Sequence, residues 1–177
     1  MNRTRWIIMT LFSANCLMTL TNISQADPVN INITGKIIAS ACTIDAANSN
    51  LNVDLGSIPI STMNQAGNTS PYKIFDLILK DCPLSTTSVT AAFSGELAPG
   101  GSTDYNNTGT AQNINVQLKE SQSGGNGRFL GPGTTLTKSV AVDHTATFHM
   151  GARAIASSSD VMPGTVVSLS QVTFTYQ

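Results

Sequence analysis

An all-β protein, a two-sheet sandwich of the immunoglobulin kind, is what this sequence predicts, and three observations predict it. Short apolar or alternating runs recur between turn signals. No window carries a helical stripe with caps at its ends. Charged residues make up only 11% of the chain, while Thr, Ser, Asn and Gly are abundant, the profile of an extracellular β-rich protein. Such a series of short strands buries its apolar faces by stacking two sheets.

The first 26 of the 177 residues read as a secretory signal peptide. Arg3 and Arg5 supply a positive start, "WIIMTLFSANCLM" (6–18) an apolar stretch too short to span a bilayer comfortably, and "SQA" (24–26) a small-x-small cleavage site. A retained anchor is the alternative. A lipoprotein attached at Cys16 is disfavoured, because "SAN" before it lacks the usual leucine and small-residue pair. The expected mature chain, 27–177, is one domain, long enough to bury a core. Removing Arg3 and Arg5 leaves seven basic against ten acidic side chains, a net charge near −3. No basic stripe is present, so nucleic acid is not an expected partner, and no integral membrane span is expected in the mature chain.

The runs follow in order. "ACTIDAA" (41–47) and "LNVDLG" (51–56) come first, then the longer "YKIFDLILKDC" (72–82), stopped by Pro83. "SVTAAFSG" (88–95) precedes a loop, "ELAPGGSTDYNNTGT". "AQNINVQLKE" (111–120), a Gly-rich turn, "SGGNG", and a short "RFL" come next. "TLTKSVAV" (135–142), "ATFHMGARAIA" (146–156) and "TVVSLSQVTFTY" (165–176) finish the series.

Cys42 and Cys82 remain once Cys16 is removed with the leader, and an even count in an exported chain favours one disulfide. A zinc site needs about four ligands at suitable spacing, which two distant cysteines do not supply. His144 and His149 are five apart; on one extended segment they would face opposite ways, so no shared metal is expected. "GGNGRFLGPG" lacks the Lys-Ser/Thr ending of a phosphate loop and reads as a hairpin turn. Asp76 and Asp81 fall on a strand and at its end, a weak carboxylate pair, and no serine sits in a nucleophile elbow. No enzyme activity and no cofactor are expected.

Two features are left over. "VNINITGKII" (29–38) puts Val29, Ile31, Ile33 and Ile37 on one face of an extended chain, with Gly35 in phase, and Asn30, Asn32, Thr34 and Lys36 on the other. It has no hairpin partner beside it. At the other end Val172, Phe174 and Tyr176 alternate with Thr173, Thr175 and Gln177. Upstream the phase is less clean: Ser168 and Ser170 share that face while Val167 and Leu169 lie opposite. A closing strand of the sandwich has no residues left to make it.

These residues resemble the pilins of the chaperone–usher pathway across essentially the whole mature chain. "TGKIIASACTID" is similar to the family's run from donor strand into first cysteine, and "DCP" (81–83) to the region of the second. "FSG" (93–95) and "GTAQNINVQL" (109–118) resemble internal motifs. Gly164, 13 residues before the end, and the penultimate Tyr176 match the C-terminal signature. "GTAQNINVQL" and "VTAAFSG" are most similar to minor subunits of type 1 pilus tips. Ser168 and Ser170 depart from the more apolar face of such pilins.

The resemblance implies an incomplete immunoglobulin-like sandwich lacking its last strand, with residues 27–38 as an N-terminal donor-strand extension and 39–177 as the pilin domain. It implies a periplasmic chaperone, an outer-membrane usher and neighbouring pilus subunits as partners, and export through the periplasm to a surface fimbrium. Val29, Ile31, Ile33, Gly35 and Ile37 would enter the next subunit. Gly164, Val172, Phe174, Tyr176 and Gln177 would form the C-terminal strand that meets chaperone and donor. A minor adaptor subunit supporting adhesion is the favoured reading. The alternatives are a major rod pilin and, from another class, a secreted single-domain lectin.

Overall fold

The computed structural model describes residues 31–37, 41–100, 102–121 and 127–177. The expected leader, Val29 and most of the "SGGNG" turn lie outside them. The chain divides into two units, residues 1–36 and 37–177. In the first, the described residues form no strand, and Ile31 and Ile33 are exposed. Ile37, at the start of the second, is fully exposed.

Among the described residues the second unit is all-β apart from one 3-10 turn, Ile60–Thr62. Its strands are β1 (Thr43–Ile44), β2 (Lys73–Lys80), β3 (Ser88–Gly95), β4 (Tyr105–Asn106), β5 (Ile114–Glu120), β6 (Thr135–Ser139), β7 (Ala146–Ala156) and β8 (Ser170–Tyr176). One antiparallel sheet has five strands in the order β1-β2-β7-β5-β4; the other has three, β6-β3-β8. Among the described residues no helix is long and apolar enough to cross a membrane.

Period-two alternation drives this arrangement. β7 turns Phe148, Met150, Ala152 and Ala154 inward, all buried. Leu77 and Leu79 of β2 join them, as do Val116 and Leu118 of β5; Val89, Ala91 and Phe93 of β3 and Leu136 of β6 face them from the other sheet. Burial at about 25 cal/mol per Å² of apolar surface is the main term holding the layers together. The Cys42–Cys82 disulfide lies in this core and ties the approach to β1 to the end of β2. By the chain-entropy model a crosslink closing about 40 residues contributes roughly 4 kcal/mol.

β5 is also buried on its outer face. The Gln117 amide carbonyl accepts hydrogen bonds from the Arg153 guanidinium (2.6 and 2.8 Å) and from the Tyr72 hydroxyl (3.2 Å), and its amide donates to Asp104 at 2.9 Å. Arg153 also stacks over the Tyr72 ring, 4.3 Å from its centroid.

The runs at 88–95 and 146–156 are strands over their full length, and the others are trimmed or lost. "ACTIDAA" keeps two residues, because Asp45 closes a turn: its carbonyl accepts from Ser49 N–H and its carboxylate from the Asn48 amide. "LNVDLG" is no strand among the described residues; nothing pairs with it. The run from 111 starts at Ile114, since Asn113 takes a left-handed φ of 61°. "RFL" contributes only a bridge between Phe129 and Lys119. β4 falls within the expected loop, where Tyr105 is anchored by its hydroxyl donating to the Leu130 carbonyl at 2.9 Å. The histidines are separated by structure as well as phase. His144 sits in the turn before β7, with Nδ1 2.9 Å from the Cys82 carbonyl, and His149 on β7 meets Asp76 at 2.6 Å.

Candidate strand-docking groove

Between the two sheets the sandwich is open along one side. The opening is a groove of about 840 Å³, lined by Phe75 and Leu77, Val116 and Leu118, and Met150 and Ala152 from one sheet, and by Phe93 and Val172 from the other. Its banks are two extended segments, residues 50–58 and the stretch leading into β8.

On the first bank Val53 and Leu55 face inward, half-buried, with Asp54 exposed between them. Gly56, at φ 73°, shifts the phase so that Ile58 points in next. Such a φ is unfavourable for residues with a Cβ. Among the described residues, 51–58 make no backbone–backbone hydrogen bond; Gly56 N–H instead reaches the Asp54 carboxylate at 2.8 Å.

On the second bank the odd-numbered residues carry the bonds to neighbouring chain. Gln177 exchanges both backbone bonds with Ser88, and its carbonyl oxygen also accepts from Thr87 N–H at 2.6 Å. Farther up, Val167 donates to the Asn107 side chain and accepts from Thr108 N–H, while Thr165 accepts from Ala111 N–H. In an antiparallel strand every second residue bonds toward the same side. The N–H and C=O groups of Val166, Ser168, Ser170, Val172, Phe174 and Tyr176 therefore point the other way, across the groove mouth. Among the described residues no strand pairs with that edge. The same residues turn their side chains inward, half-buried, in unbroken alternation.

The expected residues fall on this bank. Phe174 packs tilted against Phe148, ring centroids 5.7 Å apart. Tyr176 is half-buried, and burial raises its phenol above the ordinary value near 10. Burial likewise raises Tyr105, which accepts a hydrogen bond from Ser170 at 3.1 Å. Gly164 lies where the chain crosses residues 110–111 so closely that a Cβ would collide with backbone; Gly109 makes the reciprocal approach to Thr165. Ser168 and Ser170 continue the groove face rather than interrupt it. Val53, Leu55 and Ile58 escaped sequence reasoning as groove residues. Their alternation was visible, but not its partner. Of the donor positions, Ile31, Ile33, Gly35 and Ile37 belong to the described residues, without strand partners there.

The groove offers apolar side chains from its walls and, along β8, backbone groups with which no strand pairs among the described residues. A profile of the fimbrial protein family matches residues 31–177. The chain belongs to the fimbrial protein family. It is 36% identical to protein FimG of Escherichia coli K12 over 155 residues, covering 86% of this chain and 87% of FimG. It is 31% identical to the fimbrial-like protein FimF of Salmonella typhimurium, covering 89% and 92%. In fold it is similar to the P pilus rod subunit PapA, with a TM-score of 0.63 at 22% identity over 78% of this chain and all of PapA. A subunit of a chaperone–usher pilus gives a TM-score of 0.60 at 18% identity, covering 86% and 98%. The family is one of structural pilus subunits, components of the cell-surface fimbria.

Proposed function

We propose that this subunit polymerises by donor-strand exchange, receiving the extension of one neighbour in its groove and giving its own residues 29–38 to another. The observation that carries the reading is the second edge of β8. Its alternate residues present inward side chains together with backbone groups that pair with no strand among the described residues, which is what an added strand requires. Such an edge is an aggregation hazard until covered. A periplasmic chaperone covers it during export and the outer-membrane usher catalyses its replacement. The chain is not an enzyme in this reading. Gln177, just beyond β8, is the residue whose terminal carboxylate the chaperone anchors.

The extension has the matching pattern. Four buried aliphatic side chains, Val29, Ile31, Ile33 and Ile37, would contribute roughly 6–12 kcal/mol by area, before the cost of association. Gly35 suits a place where the groove is shallow. A contact that joins unlike surfaces without closing makes a filament. The fuller-length likeness to FimG and FimF, with the wording of residues 89–95 and 109–118, favours a minor adaptor place near the tip.

The test mixes purified chaperone-bound subunits and follows the exchanged complex on a gel. Ile33→Asp places an unpaired carboxylate in the groove, costing several kcal/mol, and is expected to abolish attachment to the neighbour while leaving folding and chaperone binding intact. Asn32→Asp, on the wet face, is expected to exchange normally. Equal exchange by both variants would sink the reading.

A further inference from the structure

The geometry points to a second contact with the neighbour that holds this chain's extension, made by Leu84 and Val142 at the pole of the domain where the disulfide lies. It rests on the donor-strand reading and adds a surface that the strand itself does not include.

Leu84 is 89% exposed and Val142 fully exposed, each at the tip of a tight turn. Thr86 N–H closes the first turn onto the Pro83 carbonyl at 2.8 Å; His144 N–H closes the second onto Ala141 at 3.0 Å. The turns are tied side by side. Cys82 N–H donates to the His144 carbonyl at 3.0 Å, and Val140 N–H to the Thr87 carbonyl at 2.9 Å. Asp81 (φ 54°) and His144 (φ 61°) both take left-handed conformations here, unfavourable for residues with a Cβ. Such strain persists where the surroundings hold it and often marks a functional surface. Asp143 and Asp81, each bonded to a threonine hydroxyl, give the apolar pair a polar rim, the anatomy of an interface.

Single exposed aliphatic residues are ordinary; chain length assigns this pair its occupant. From Ile37, the last inward residue of the extension, to Cys42 is five peptide steps, no more than about 18 Å fully extended. Cys42 and Cys82 have Cα atoms 4.3 Å apart, and Leu84 follows Cys82 by two residues. With the extension seated, this pole is held against the accepting subunit. Apolar burial there would fix the angle between successive domains, which a strand on a short tether leaves free.

The experiment places a photoreactive phenylalanine analogue at position 84, 142, 33 or 74 in assembled fimbriae and identifies adducts by mass spectrometry after illumination. Ile74 is 62% exposed and lies near the start of β2, more than about 20 Å from Cys82 by strand rise. Probes at 84 and 142 are expected to label the same neighbour that the probe at 33 labels, and the probe at 74 is not. If 33 labels a neighbour while 84 and 142 do not, or label it no better than 74, this inference fails and the donor-strand reading stands. If 33 labels no subunit, both fail.

Discussion

β7 and β8 are both amphipathic strands, yet they end in different states. β7 runs between β2 and β5, and its inward residues are buried to 4% exposure or less. Among the described residues β8 has only β3 beside it, and not one of its seven residues is buried. Composition does not explain this. Val172, Phe174 and Tyr176 are as apolar as the inward residues of β7, and Phe174 touches Phe148 directly. The missing neighbour explains it: a strand with one open edge keeps one flank of each inward side chain uncovered. β7 is covered on both edges within its own chain; among the described residues β8 is covered on one.

The largest expected effect lies on β7. Phe148→Ala empties a site that is fully buried, and a loss of about 3–5 kcal/mol is expected, read from the urea midpoint of the isolated subunit. Phe174→Ala is expected to cost about 1–2 kcal/mol in the same assay, since its side chain is only partly buried. With a donor strand seated, the Phe174→Ala penalty is expected to rise toward the β7 value. Equal penalties for the two phenylalanines in the free subunit would break the comparison.

A smaller effect sharpens it at Tyr176. Burial raises the phenols of Tyr105 and Tyr176 already. A seated strand is expected to raise Tyr176 further and leave Tyr105, 1% exposed, where it is. Phenolate absorbance during alkaline titration, with Tyr176→Phe to assign the signal, measures this. The sign follows from proton linkage. The folded phenol holds its proton more tightly than the unfolded one, so this stability is complete below the ordinary value near 10 and is lost as pH climbs through the raised folded value. Smallest of all, Thr173→Ala on the exposed face of β8 is expected to stay within about 0.5 kcal/mol in either form. A large loss there would mean that the outer face of β8 is also a contact.

Much of the site was legible before any coordinates. The alternation at 172–176 is that of β8, and the even cysteine count located the disulfide. The first bank of the groove was not legible as such. "LNVDLG" alternates like any strand, and nothing local says that no partner lies beside it within the described chain. β4 was hidden because two residues show no period; Tyr105 is fixed by a hydrogen bond to Leu130, 25 positions away.

By itself the sequence determined the all-β class, the runs that become β3 and β7, and the period-two alternation of Val172, Phe174 and Tyr176. Side-chain direction in a strand depends only on position along the chain, so periodicity carries it. Tertiary structure alone decided which strands are neighbours, that Ser168 and Ser170 line the groove, and that β8 has one strand neighbour among the described residues. Pairing is set by contacts among residues far apart in sequence, and the alternation within a strand is the same whether it has one neighbour or two.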